Sequence, residues 1–361
     1  MIRRLVVTAA LSIAAASAVH AQGKTQPDAK CTTTSTDPTD QRRLLQDACQ
    51  KAVDIFNYMA PQLGAAIAGG NATLGQGSTL GGLGDFSFGL RLTAVRGAVP
   101  LLDRTSRPDT GAARQSTLRT ERKPLPMPAV DLAIGLFKGI PLGVTHLGGV
   151  DLLVSATYIP EVGDAEKGDE FTLKAPDGSL KLGYGARLGI LQEGKVVPGV
   201  SVTYLMRGLP KLDITGTIKD PNNAALSDSV YVRELDITAS SWRIVASKKL
   251  LFLGLALGYG MDKYDASANI GAVVNEQCPI ILVCRASTGD QPLATFDQEV
   301  TRSNMFANVS LNLFMFKLAG EVGQVSGGDI TTFNRFVDEK NEAEAPDKSR
   351  LYISAGLRVG F

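Results

Sequence analysis

The chain has 361 residues, 37 basic against 36 acidic side chains, a formal net charge of +1 and 44% hydrophobic residues. That balance lacks the basic surplus of a nucleic-acid binder, and two histidines leave little for imidazole catalysis or metal ligation. The 38 glycines beside 6% aromatic residues suit alternating strands better than the core of an α/β enzyme.

In chain order, a basic start (Met1–Arg4) precedes an apolar run (Leu5–Ala18) and a small-residue ending (Val19–Ala21). This predicts a cleaved secretory signal over residues 1–21 and hence export. The run is shorter than a spanning helix needs, and no later segment supplies ~20 continuous apolar residues. Cys31 with Cys49, and Cys278 with Cys284 in "CPIILVC", are expected to form two local disulfides in an oxidising compartment. No metal site is expected, because neither pair has histidines nearby.

Residues 22–84 are expected to form a periplasmic segment. "TDPTDQRRLLQDACQKAVDIFNYM" predicts a helix with Asp37 as cap, Pro38 in the first turn and Asp40 near the N-terminus. Leu45, Ala48, Cys49, Ala52, Phe56 and Met59 form one apolar stripe at helical spacing, and Pro61 and Gly64 are expected to interrupt it. "GGNATLGQGSTLGGLG" (69–84) lacks the Gly-Lys-Ser/Thr of a phosphate loop and is expected to be a flexible connector.

From residue 85 the pattern changes to period two. "FSFGLRLTAV", "VDLAIGLF", "VDLLVSATY", "LKLGYGARLGI", "VSVTYLM", "WRIVA", "LFLGLALGYGM", "MFANVSLNL", "FKLAGEV" and the terminal "LYISAGLRVGF" predict about ten strands. Their links alternate between long and short. That suits an up-and-down barrel with long loops at one end and short turns at the other. One parity conflict stands out: Leu235, Ile237 and Ala239 share one face, whereas Trp242, Ile244 and Ala246 share the other. Either a β-bulge near Ser240–Ser241 or an upper stretch clear of the membrane would account for it.

The alternation assigns Arg91, Asp131, Lys181, Arg187, Arg243, Lys317, Glu321 and Arg358 to the lumen. It also assigns an apolar ring to the short-turn mouth: Phe137, Leu153, Leu191, Val197, Val245, Phe252 and Phe314. The helix stripe is the expected occupant of that ring, closing the mouth from below. His146 falls in a short turn and is read as a turn residue; no catalytic residue and no cofactor are expected.

The last strand sets Phe361, Val359 and Leu357 at alternate positions and stops without a turn. In this, residues 85–361 resemble a bacterial outer-membrane β-barrel of the porin-like class. The ending resembles that class's C-terminal recognition strand, with Val359 standing where an aromatic is common. The resemblance implies an all-β transmembrane fold in the outer membrane, reached through the barrel-assembly machinery. It implies contact with membrane lipid and lipopolysaccharide, to which the basic stretch 103–123 suits phosphate binding; the stretch 338–347 is acidic.

Two functions are consistent with these features. One is a narrow or plugged path for a small solute or hydrophobic ligand. The other is a non-enzymatic binding or structural barrel acting through its long loops. If the terminal strand is the assembly signal, Phe361→Ala should lower the yield of folded, heat-modifiable barrel on gels; an unchanged yield would remove that role.

Overall fold

The computed structural model describes residues 23–32, 41–101, 113–161, 171–218, 228–277, 283–287 and 293–360. The signal segment, Asp37–Asp40, Cys278 and Phe361 lie outside them. A 3-10 turn (Ala29–Cys31) leads to helix α1 (Gln41–Ala68). The strands follow as β1 (Phe86–Pro100), β2 (Thr117–Phe137), the small hairpin β3 (Ile140–Leu142) and β4 (Thr145–Leu147), and β5 (Gly149–Tyr158). Next come β6 (Phe171–Lys174), β7 (Leu180–Leu191), β8 (Gly199–Gly208), β9 (Leu212–Ile218) and β10 (Asp228–Leu250). The last are β11 (Leu253–Gln277), β12 (Val283–Ser287), β13 (Ala294–Leu313), β14 (Phe316–Ser326), β15 (Arg335–Val337) and β16 (Arg350–Gly360).

Among the described residues, ten antiparallel strands close a ring in the order β1-β2-β5-β7-β8-β10-β11-β13-β14-β16. The last strand pairs with the first, with Leu90 opposite Leu357 and Phe88 opposite Val359. Closure satisfies the backbone without leaving an edge. Side chains alternate across the wall as the sequence predicts: on β1, Phe86, Phe88, Leu90 and Leu92 point out while Ser87, Arg91 and Thr93 are buried inside. The same exposed apolar girdle recurs in Leu180, Leu182 and Tyr184, and in Ile353 and Leu357.

The strands are unequal. β5 and β8 have 10 residues each, the ~9–11 that a tilted spanning strand needs. β10, β11 and β13 have 23, 25 and 20, so their hairpins stand well beyond the girdle at the long-loop end. There β9 pairs with β10, β6 with β9, and β12 with β11. The lower half of the lumen is lined by the girdle strands, the upper half by this extension.

Helix α1 lies inside the barrel, in the half towards the long loops, and not beneath the short-turn mouth. It packs against β1, β2, β8, β10, β11, β12 and β13. Burial is not confined to the predicted stripe: Leu45, Cys49, Ala52 and Phe56 are buried, but so are Gln50, Asp54 and Gln62 on other faces. The helix also runs through Pro61. A proline there removes the N–H that would bond the carbonyl four residues back, and Gln298 of β13 donates its amide to Asn57 O at 3.0 Å in its place. Gly64 abuts β11: a Cβ there would lie 2.6 Å from the Tyr264 ring.

The parity conflict at 235–246 resolves without a bulge at Ser240–Ser241. β10 pairs continuously with β11 from Asp236 to Leu250, and the register shift falls between Arg233 and Asp236. Leu235, Ile237, Ala239, Ser241, Arg243 and Val245 all point inward and are buried. The apolar residues change faces because the upper lumen holds the helix, so the inside of the wall is apolar there.

The connector 69–84 is ordered and threads down the lumen to β1. Gly75 (φ 73°) lies where a Cβ would sit 2.6 Å from Ser310 Cβ, and a Cβ on Gly77 would meet the backbone N of Ser247 at 2.8 Å. These glycines serve close approach to the wall rather than flexibility.

Above the helix, the segment between β14 and β16 folds over it. Tyr58 stacks on Phe336 with ring centroids 4.0 Å apart. Asp54 accepts hydrogen bonds from the backbone N–H of Phe333 (3.0 Å) and Asn334 (2.8 Å). Buried Glu344 is the hub of a charge knot with Arg122 (2.8 Å), Lys348 (2.9 Å) and Arg350 (3.2 Å). The basic and acidic stretches therefore meet at Arg122, while Arg104 and Arg107 lie outside the described residues.

Burial alone would raise the Glu344 carboxyl, but hydrogen bonds from Lys348 and Arg122 and the charge of Arg350 hold it below its ordinary 4.5. A carboxyl lowered on folding stabilises at pH above its unfolded value and loses that contribution as pH falls through the folded one. Protection of the amides over residues 335–350, measured against their intrinsic exchange at each pH, should therefore fall as the pH drops below 4.5, and Glu344→Gln should shrink that step, leaving the part that Asp338 contributes. An identical pH response in the variant would contradict it.

Candidate functional site: the plugged lumen

α1 ends in mid-lumen, and the last carbonyls of a helix have no partners within it. Three arginines from the wall supply donors. Arg91 Nη1 donates to Gly69 O at 2.7 Å. Arg207 Nη1 donates to Gly70 O at 2.9 Å and Ala68 O at 3.2 Å, and Arg243 donates to Ala68 O. Cations at a helix C-terminus also oppose the negative end of its dipole.

Carboxylates on neighbouring strands steady these guanidiniums. Asp131 accepts from Arg91 Nε and from Ser155 Oγ, both at 2.7 Å, and lies 3.7 Å from Arg207. Asp262 lies 3.5 Å from Arg243 and accepts from Asn304 at 2.9 Å. Arg243 also stands over the Phe306 ring, 5.4 Å from its centroid. Glu321 accepts from Asn308 at 2.6 Å and is reached by Tyr352 Oη at 3.0 Å.

Lower down, the same device holds the connector. Arg187 pairs with Asp151 and donates to Thr73 Oγ1, and the other face of Asp151 receives Leu80 N–H at 3.1 Å. Arg358 donates to Leu74 O at 3.2 Å and to Gln76 Oε1 at 3.3 Å. Gly77 N–H reaches Ser247 Oγ at 2.8 Å.

Of the residues assigned to the lumen, Arg91, Asp131, Arg187, Arg243, Glu321 and Arg358 are buried inside, and Lys317 is half-buried beside the connector. Lys181 stands apart near the upper rim, 3.9 Å from Asp236. The proposed apolar ring does not exist as a ring. Phe137 is exposed: the β2–β5 register shifts between Gly135 and Phe137, setting Phe137 opposite Val150. A similar shift sets Leu191 opposite Val200, also on the outer parity. Phe252 and Phe314 sit in tight turns and are exposed, and Val197 is half-buried in another turn. Leu153 and Val245 remain inside; Leu153 packs with Ala72, Ala133 and Leu205.

Sequence reasoning missed Arg207 and Asp262 because it ended their strands one residue early. The signal was present, since Arg207 continues the inward parity of Ser201, Thr203 and Leu205. Cys31 and Cys49 are disulfide-bonded, tying the α1 N-terminal half to the preceding segment. The pairing of Cys278 with Cys284 falls outside the described residues. His146 lies in β4, in the short-turn hairpin. Among the described residues no cluster of potential metal ligands occurs, and no helix is long and apolar enough to cross a membrane.

No protein-family model and no curated protein matches the chain. Among solved structures, it is similar to the Pseudomonas putida toluene transporter TodX at 10% identity, covering 82% of this chain and 97% of that one, with a TM-score of 0.30. It is also similar to the monoaromatic hydrocarbon channel CymD (11%, 80% and 91%, TM-score 0.25). A third is the β domain of the Bordetella autotransporter BrkA (11%, 76% and 99%, TM-score 0.26). At these scores the fold assignment stands on the pairing and the girdle described above. They are those of an outer-membrane β-barrel.

Arg207 is the test of the helix clamp. Arg207→Met keeps bulk but leaves Gly70 O without its donor and Ala68 O with Arg243 alone, and orphaning a buried acceptor costs about 1–3 kcal/mol. Amide exchange in the last turns of α1 should rise by about tenfold while the barrel strands stay protected. Unchanged exchange would show that the clamp does not hold the helix.

Proposed function

We propose that the protein is an outer-membrane barrel providing a plugged path for a small solute, with residues 41–85 as the plug. The observation that carries this reading is the way the connector is held. From Gly69 to Leu80 it meets the wall chiefly through hydrogen bonds to Arg91, Arg358, Ser247 and Asp151, with only a small apolar contact of Ala72 and Leu80 on Leu153 and Leu205. Such bonds can be exchanged for water or for a polar solute at little net cost, whereas a dry apolar core cannot be opened so cheaply. The upper helix is the fixed anchor, and the connector below it is the movable part.

The closed ring and outer girdle support residence in the outer membrane, and the predicted signal supports the route there. Long loops would then face outward and short turns the periplasm. Under this reading, membrane lipid contacts the girdle, lipopolysaccharide phosphates meet the exposed Arg114, Arg119 and Lys123, and the assembly machinery reads the terminal strand.

A disulfide lock tests the movement. A Cβ on Gly199 would lie 3.0 Å from Ser78 Cβ, close to the ~3.5–4.5 Å of a disulfide. In liposomes, Ser78→Cys with Gly199→Cys should pass small solutes when reduced and lose most of that flux when oxidised, with each single variant as control. Equal flux in both states would exclude the connector as the gate. No flux in any form, wild type included, would favour a surface barrel acting through its loops.

A further inference from the structure

At the short-turn end the lumen keeps a cavity of about 200 Å³ between the connector and β10, β11, β13 and β14. It is smaller than the ~300–1,000 Å³ that takes drug-sized ligands. Its wall carries Lys249 and Lys317, with Asn312, Gln76 and Glu193 beside them. Lys248 also lines it, but its ammonium is engaged by Gly194 O (2.6 Å) and Lys195 O (2.9 Å). Lys317 is held by one long contact, 3.4 Å to Gly75 O, and its charged neighbours are Arg358, Arg187 and Lys249 against Glu193 alone. Among the described residues, neither Lys317, Lys249 nor Arg358 has a carboxylate within ion-pair distance, while Arg187 is taken up by Asp151. A half-buried ammonium facing other cations is costly unless an anion joins it.

We infer that this cavity binds a compact oxyanion, a small carboxylate or phosphate in solution, with Lys317 as its principal partner and Lys249 and Asn312 as further donors. This deepens the solute path by naming the class of solute. A soluble anion is favoured over a lipid headgroup because Ser247, Asn312 and Lys317 all lie on the inward parity of their strands. Lipid lies across the wall. The site also touches the plug: an anion that takes Lys317 removes its bond to Gly75, and one that turns Gln76 loosens the contact with Arg358. Binding would thus weaken the connector's hold from the short-turn end of the lumen.

Calorimetric titration of the full-length protein decides this, with inorganic phosphate and acetate as probes and glycerol as the neutral control. It should be run in phospholipid-free detergent and again in phosphatidylcholine nanodiscs. Phosphate or acetate should bind in both media and glycerol should not. Lys317→Gln should weaken binding by about tenfold, as loss of one charged hydrogen bond implies; Lys317→Arg should restore it to within about threefold, and Glu193→Gln should tighten it. Bound anion should also speed amide exchange at Gly75 and Gly77. Heat modifiability of each variant confirms that the barrel has folded. The inference is overturned if neither anion binds wild type, or if folded Lys317→Gln binds as wild type does. It is also overturned if binding appears only with short-chain phosphatidic acid, which would make the site a lipid site. These outcomes leave the disulfide-lock flux experiment untouched, so the path can stand when the anion site fails.

Discussion

A buried guanidinium needs partners, and so does a helix that ends in the middle of a protein. In this molecule each solves the other's problem. Arg91, Arg207 and Arg243 project from three strands onto the carbonyls that close α1, and Asp131 and Asp262 balance them from neighbouring strands. Removing the helix would leave three cations in an emptied lumen. Removing the arginines would leave the helix end unsatisfied. Either loss leaves hydrogen-bonding groups that the other had satisfied without partners, so plug and wall form one structure.

The plug has two parts with different chemistry. The helix is enclosed by apolar side chains such as Ile237, Ala239, Tyr264 and Phe306, all in one core with Phe56 and Val53. It is latched above through Asp54, Tyr58 and the charge knot at Glu344. The connector is held by polar bonds at close backbone approach. Hydrophobic burial resists opening in proportion to area, whereas a hydrogen bond can be traded for another. Under the proposed path, the division assigns rigidity to the upper lumen and adaptability to the lower, where the cavity lies.

The barrel was legible because its signal is local. Period two in side chains, read ten times, and alternation of long and short links are properties of short stretches. Inward placement of Arg91, Arg187 and Arg358 followed from parity. The failures share another character. Phe137 and Leu191 left the lumen because the register slips by one residue at the ends of β2 and β7, and such a slip sends a side chain to the other face. For Leu235, Ile237 and Ala239 the sequence left two readings, a bulge near Ser240–Ser241 or a stretch free of lipid-facing parity, and the continuous pairing and inward burial fit the second. Inside the upper barrel the helix offers an equally apolar surface. Glycines in the connector looked flexible because the wall that crowds them lies far away in sequence.

By itself, then, the sequence determined that the chain alternates, that its strands close into a ring, and that Cys31 and Cys49 lie close enough along the chain to join. Each of those rests on spacing within a few residues or on the need of a sheet to lose its edges. The position of the plug was decided by tertiary structure. A helical stripe states that it will be buried but not against what, and the contacts that place α1 join residues very far apart, as between Ala68 and Arg243, 175 positions away. Burial of charge is satisfied only when donor, acceptor and counter-charge arrive together in three dimensions, and no period in the sequence records that meeting.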